Sequence, residues 1–261
     1  MPIRYGDVDG EPPDPVFLRT EHFRAGTVFP PRRQIWGELN FALQGVAEFE
    51  IAGDTYMSPP QYAVWIPPGF EHTGVNRHDI RYASAYIAAS LCDGLPAEPC
   101  TLVLNPLLKA IFADFDARGI RHPKTEADLR LAMVIVDQIR AAPRFAHYLP
   151  STDDPMIAPV LRALEADPGD RRSAADWART AGTTERTFSR RCQDRLGMSF
   201  NDWRLRLKLV TGLALLEDGA SVRAVSQRLG YNNPSAYIAM VRRLTGASPS
   251  QLRGAQEKGP R

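Results

Sequence analysis

Arg186, Ser189, Arg190 and Gln193 recur at three- and four-residue intervals, which places them on one face of a helix. Two guanidinium forks, a hydroxyl and a carboxamide are the groups that bond base edges in a DNA major groove or hold phosphates. Ser235, Ile238, Ala239 and Arg242 repeat the same spacing further on and present a hydroxyl, two apolar groups and one cation. Thr184 and Asn233 stand just ahead of these faces, where a short polar side chain caps a helix and its N-terminus can face a phosphate. A third constellation joins Arg32, Gln34, Trp36, Glu38 and His72. An imidazole and a carboxylate could begin a metal site. One His and one Glu fall short of the three protein ligands a catalytic metal needs, Arg32 has no lone pair to give, and Gln34 is a poor transition-metal ligand. The expectation is therefore no metal and no cofactor, with these five residues facing a small polar molecule. Two alternatives stay open: His72 as a hydrogen-bonded wall residue, and Arg32 with Glu38 as a simple ion pair. No Ser/His/Asp grouping, phosphate loop or carboxylate pair stands out to support an enzyme.

The elements that must position the first two faces come from one unit that occurs twice. An apolar-periodic segment, a glycine turn, a polar cap and a second periodic segment run from Trp177 to Phe200 and again from Val225 to Pro249. The turn glycines Gly182 and Gly230 lie 48 residues apart, and the closing glycines Gly197 and Gly246 lie 49 apart. Each copy reads as helix-turn-helix. Phe188, Cys192 and Leu196 form the inner row of the first reading helix; Tyr237, Val241 and Leu244 form that of the second. Between the copies, a helix predicted over Phe200–Asp218 carries two apolar rows, Trp203-Leu207-Val210-Ala214 and Leu205-Leu209-Leu213-Leu216. A helix apolar on most sides is buried between two partners. Ser173 and Ser221 read as caps of the leading helices, and Pro234 opens the second reading helix where its missing N–H costs nothing.

Upstream the pattern changes to short strands punctuated by Gly and Pro, such as Leu39–Leu43, Val46–Ile51, Tyr62–Ile66, His72–Val75 and Arg81–Ile87. Such a run fits a sandwich or small barrel. Helical periodicity follows in two stretches: Leu107, Leu108, Ile111, Phe112 and Phe115, then Leu129, Met133, Val136 and Ile139. These two helices either pack on the strands or form a homodimer surface.

Charge separates the halves more sharply than composition does. The 261 residues carry a formal net charge of +2, yet the stretch from Arg171 onward holds 17 basic and 7 acidic residues, a net of +10, which leaves −8 for the first 170. That asymmetry sets a polyanion partner against the C-terminal part. Apolar runs stay short of the roughly 18 residues a membrane span needs. Met1-Pro2-Ile3-Arg4 does not read as a secretory leader. Three cysteines, Cys92, Cys100 and Cys192, lack metal-type pairing and suit a reducing cytoplasm.

Two resemblances follow from these residues. Pro67-x-Gly69-x-x-His72-x-x-x-Asn76, with Glu38 upstream, resembles the cupin motif, although Arg32 and Gln34 stand where a metal-binding cupin has its histidines. Thr184-x-Arg186-Thr187-Phe188-x-Arg190, Gly197-x-Ser199-Phe200-x-x-Trp203, and Gly230-Tyr231 through Arg242-Arg243-x-x-Gly246-x-Ser248-Pro249 resemble the two-headed DNA-binding domain of AraC/XylS-type regulators. The fold expected is α+β in two domains: a cupin-like β-barrel with a helical pair, then an all-α double helix-turn-helix domain. The boundaries expected are 1–103 for barrel and arm, 104–142 for the helical pair, 143–155 for a linker, 156–254 for the DNA-binding domain and 255–261 for a disordered tail. The resemblance implies a cytoplasmic activator or repressor whose partners are double-stranded promoter DNA and a small-molecule effector, with no membrane. A cupin enzyme carrying a regulatory helical domain is the alternative.

Overall fold

The computed structural model describes residues 15–252, so most of the expected arm and all of the expected tail lie outside it. The chain forms two compact units that change over between His147 and Tyr148, with the short stretch Leu244–Ala247 grouped with the first.

In the first unit, β1 (Val16–Phe23), β2 (Thr27–Arg33), β3 (Gly37–Gln44), β4 (Ala47–Ile51), β5 (Asp54–Ser58), β6 (Tyr62–Ile66), β7 (Glu71–Asn76), β8 (Ile80–Ile87), β9 (Cys100–Val103) and β10 (Arg144–Phe145) accompany α1 (Pro106–Ala117) and α2 (Glu126–Ala141). One sheet runs β1-β8-β3-β6-β9-β10 and the other β2-β7-β4-β5, with antiparallel pairing throughout. Among the described residues no strand of one sheet pairs with the other, so the expected barrel is instead two facing sheets. Pro30 and Pro31 in β2, with a register shift between Phe29 and Arg32, suit an edge strand that need not close onto a neighbour. Ala52 and Gly53, at φ 53° and 90°, make the two-residue turn of the β4–β5 hairpin.

Strand β3 organises this unit because both its faces are buried. Leu39 and Phe41 join the core shared with α1 and α2, where Phe41 meets Phe112 edge to face at 4.8 Å. Burying such a ring contributes roughly 1.5–3 kcal/mol. Alternation sends Glu38, Asn40 and Ala42 the other way; Ala42 packs with Phe49, Val64 and Tyr82 between the sheets. Two polar side chains are thus placed in the sandwich interior by period alone. The apolar rows of α1 and α2 pack on the sheet. The stripe differs slightly from expectation: Leu107 is 50% exposed, while Ala132 and Ile135 are buried and Leu129 and Met133 only half-buried.

The second unit is helical: α3 (Ala158–Ala166), α4 (Ala174–Thr180), α5 (Glu185–Leu196), α6 (Phe200–Glu217), α7 (Val222–Arg228), α8 (Pro234–Thr245) and α9 (Pro249–Leu252). Ser173 and Asp176 form a reciprocal capping box on α4, and Ser221 caps α7. Helix α6 lies between the two copies: Phe200 packs edge to face on Phe188 of α5 at 5.1 Å, and a Cβ at Gly212 would sit 2.8 Å from the Tyr237 hydroxyl of α8. Trp203, Leu207, Leu209, Leu213 and Leu216 are buried as expected, whereas Ala214 is exposed. Arg206 is buried within the same helix and donates to Tyr148 O at 2.6 Å.

Residues 143–155 are not slack. Arg144 and Phe145 pair with β9, and beyond the changeover Trp203 Nε1 donates to Pro150 O at 2.8 Å. Pro-rich composition suggested a linker; backbone carbonyls that a proline segment cannot use internally are taken up by α6 side chains instead.

Candidate DNA interface and effector cleft

On α5, Phe188, Cys192 and Leu196 are buried and Arg186, Ser189, Arg190 and Gln193 are exposed. The inner row anchors the helix and fixes which residues face outward. Thr184 Oγ1 accepts from Thr187 N at 3.2 Å, so its hydroxyl is engaged as a cap. Arg179, Arg191, Arg195, Arg204 and Lys208 are committed to protein partners, but Arg186 and Arg190 have no ion-pair partner among the described residues. By contrast, Arg191 and Arg195, on a third side of α5, both turn to Asp154: Arg191 Nε at 2.7 Å and Arg195 Nε at 3.4 Å. The Asp154 carboxylate also accepts from Met156 N and Ile157 N. Burial would raise this carboxyl; the Arg191 bond and the two backbone donors hold it below the usual carboxylate range. Sequence reading gave Asp154 only as part of a linker, since nothing local to it signals a partner 37 residues on.

On α8, Tyr237 and Val241 are buried, Ser235, Ala239 and Arg242 exposed and Ile238 half-buried; Leu244 is half-buried too. Asn233 Oδ1 accepts from Ala236 N at 3.0 Å, which makes it the cap. The turn before α8 needs glycine at position 230: φ is +76°, and a Cβ there would lie 2.2 Å from Gly169 O. The two faces therefore differ in chemistry as their sequences do. The first offers two free guanidinium groups; the second offers a hydroxyl, two apolar surfaces and one cation.

Between the sheets of the first unit, a cleft is lined by Arg19, Phe23, Phe29, Arg32, His72 and Asn76, with Phe49, Tyr82 and Tyr86 behind them. Arg32, Glu38 and His72 come together as the sequence suggested. Gln34 and Trp36 do not line this cleft; the Gln34 backbone carbonyl accepts from Gly69 N, and Trp36 is buried elsewhere in the unit. Arg32 Nε donates to His72 Nε2 at 3.0 Å and a terminal nitrogen of Arg32 reaches Glu38 Oε2 at 3.2 Å. Asn40 Nδ2 donates to the same oxygen, and Tyr82 donates to Asn40 Oδ1 at 2.5 Å. Burial alone would push the Glu38 carboxyl up; the His72 contact at 3.4 Å, the Arg32 charge and the Asn40 amide bring it down to about 2. Arg32 Nε donates to His72 Nε2, and the other ring nitrogen, Nδ1, lies 3.2 Å from Phe70 O. A metal would have to displace that guanidinium, and among the described residues no three His, Cys, Asp or Glu side chains converge. Arg19, Tyr82 and Tyr86 were not foreseen, because strand register rather than sequence proximity assembles them; Asn76, quoted only as part of the motif, shares a face of β7 with His72.

Residues 15–115 match the family described as AraC-like ligand binding domain, and residues 177–255 match a helix-turn-helix domain family. The HTH-type transcriptional regulator NimR of Escherichia coli K12 is 29% identical over 215 residues, covering 82% of this chain and 78% of its own. RipA of Corynebacterium glutamicum, also an HTH-type transcriptional regulator, is 30% identical over 97 residues, 37% of this chain and 29% of its own. Among solved structures, ToxT of Vibrio cholerae O395 overlaps 91% of this chain and 96% of its own at 12% identity with a TM-score of 0.37. The DNA-binding domain of AdpA, in complex with a target DNA, overlaps 39% of this chain and 91% of its own at 30% identity with a TM-score of 0.36. Overlaps this loose transfer no atomic detail. Among the described residues no helix is long and apolar enough to cross a membrane. With a ligand-binding segment ahead of a duplicated helix-turn-helix unit, both matched to their family models, this chain belongs to the AraC-type helix-turn-helix transcriptional regulators.

Proposed function

We propose that α5 and α8 enter successive stretches of the major groove of promoter DNA, and that a small molecule held between the two sheets changes how tightly they do so. The observation that carries this reading is the pair of exposed, unpaired arginines on α5, held outward by the buried Phe188-Cys192-Leu196 row. A guanidinium facing water has its five donors free for guanine O6 and N7 or for phosphate. Arg186, Ser189, Arg190 and Gln193 read one half-site, and Ser235, Ile238, Ala239 and Arg242 pack into the other, about one helical turn or roughly 10 base pairs away. Thr184 and Asn233 act from the helix N-termini, beside phosphates. Arg32, Glu38 and His72 form the polar floor of the effector cleft. The chain acts in the cytoplasm as a regulator and not as a catalyst. Its thiols support that setting: burial lifts Cys100 and Cys192 to about 11, which keeps them protonated and unreactive. A homodimer would use the outer face of α1, where Leu107 is exposed.

The test is a titration of the full chain against an operator obtained by selection from a random duplex library. Arg190→Ala should cost about 1–3 kcal/mol and relax base choice within one half-site. A loss that is equal at every operator position would show that Arg190 holds phosphate and reads nothing.

A further inference from the structure

Each charged side chain on the cleft wall already has an opposite charge at hydrogen-bond distance. Arg19 holds Glu21 through two nitrogens at 2.6 and 2.7 Å, Arg32 holds Glu38 at 3.2 Å, and Glu48 accepts from Arg77 at 2.9 Å. His72 is engaged at both ring nitrogens. An ionised ligand would have to break one of these pairs or remain an unpaired charge beside buried rings, which is strongly unfavourable. No spare cation waits for a carboxylate.

The uncharged groups are not balanced in this way. Asn76 lines the cleft, is 3% exposed, and its Nδ2 has no partner among the described residues. A buried donor left unmade is costly, so an acceptor supplied by a ligand recovers free energy. The cleft leaves about 10 Å³ for the centre of a water-sized molecule, room for about one water. A ligand must therefore move side chains aside. Phe23 and Phe29, half-buried and packed edge to face at 5.1 Å, can part more readily than the buried Tyr82. Beside Phe29 and Phe49 in the same sheet, Gly74 keeps that wall flat; a Cβ there would come within 3.3 Å of Phe29 Cδ2. Flat walls of aromatic rings and a single free donor select a flat ligand with an acceptor at its edge.

We propose that the effector of this protein is a small, uncharged, planar aromatic or heteroaromatic molecule that presents a hydrogen-bond acceptor to Asn76 Nδ2 and its faces to Phe23, Phe29 and Phe49. The proposal rests on reading the cleft as the effector site. The cleft discriminates against the matched carboxylate, since no cation is free to receive it.

The experiment compares two pairs of probes on the full chain by thermal shift: benzamide with benzoate, and nicotinamide with nicotinate. The amides should raise the melting temperature saturably and the carboxylates should not. Asn76→Leu should abolish the amide shift, and so should Gly74→Ala, which fills the cleft with one methyl group; the second variant keeps the test decisive if the first does not fold. Carboxylates that shift the protein as much as the amides, amides that still shift both variants, or no shift with either pair would overturn the proposal. Operator affinity of the unliganded protein is measured in the same series. Intact DNA binding with no amide response sinks only the effector class, whereas loss of operator preference sinks the functional reading beneath it.

Discussion

Replacing Asp154 should loosen the helical unit by an amount that the structure lets us divide. The carboxylate accepts three hydrogen bonds, from Met156 N at 3.0 Å, Ile157 N at 3.3 Å and Arg191 Nε at 2.7 Å, and forms a looser ion pair with Arg195 Nε at 3.4 Å. Asp154→Asn keeps an acceptor for the two backbone groups and removes the charge. Because Arg191 is 39% exposed, water replaces much of that pair, and the loss should be about 1 kcal/mol. Asp154→Ala also strips the acceptor from the turn that leads into α3, a loss comparable to that of a helix cap, about 1 kcal/mol more, for a total of about 2 kcal/mol. Urea unfolding of the full chain followed at 222 nm reports this unit, which holds most of the helix. The order wild type, Asn, Ala is the expected result, with the slope against urea unchanged. Should Asp154→Ala fall within about 0.5 kcal/mol of wild type, the strap between residue 154 and α5 contributes nothing, and the reasoning fails. If instead Asn costs as much as Ala, the ion pair and not the backbone cap carries the stability.

Three further outcomes are expected. A fragment beginning at Tyr148 should melt higher than one beginning at Met156, because Tyr148 O and Pro150 O receive Arg206 and Trp203; equal melting temperatures would show those bonds to be idle. Ile238→Ala should weaken operator binding less than Arg190→Ala and chiefly at a thymine-bearing step, as single-base operator variants would report. Burial, then the neighbouring Arg77 charge, depress the buried His78 imidazole to about 4, so it folds neutral. Its contribution is full above pH 6.5 and is lost as pH falls toward 4, by at most about 3 kcal/mol; His78→Gln should flatten that part of the stability profile, and an unchanged slope would refute the assignment.

The helical unit was legible because its information is local. Caps at Ser173, Thr184, Ser221 and Asn233 and inner rows at three- and four-residue spacing are all read within one turn or two. The exposed rows of α5 and α8 followed from those inner rows. Strands β1, β2, β5 and β9 were harder. In β2 the prolines that mark an edge strand also hide it. The effector cleft was half legible for the same reason. Arg32 pairs in register with His72 across β2 and β7, but Glu38 arrives from the other sheet, and Arg19 and Tyr82 arrive through pairings that only the register fixes. Arg206 is the plainest case: an arginine amid leucines gives no sign that a carbonyl 58 residues earlier will bury it.

Selection from a random duplex library, followed by titration over a salt series, asks whether this chain reads DNA sequence through two unequal helices. One enriched operator is expected, with two half-sites about 10 base pairs apart and guanines concentrated in one of them. Its affinity should lie at least about a thousandfold above that of scrambled DNA, both falling steeply as salt rises. Enrichment of no sequence, or equal affinity for operator and scrambled duplex at every salt concentration, would contradict that reading.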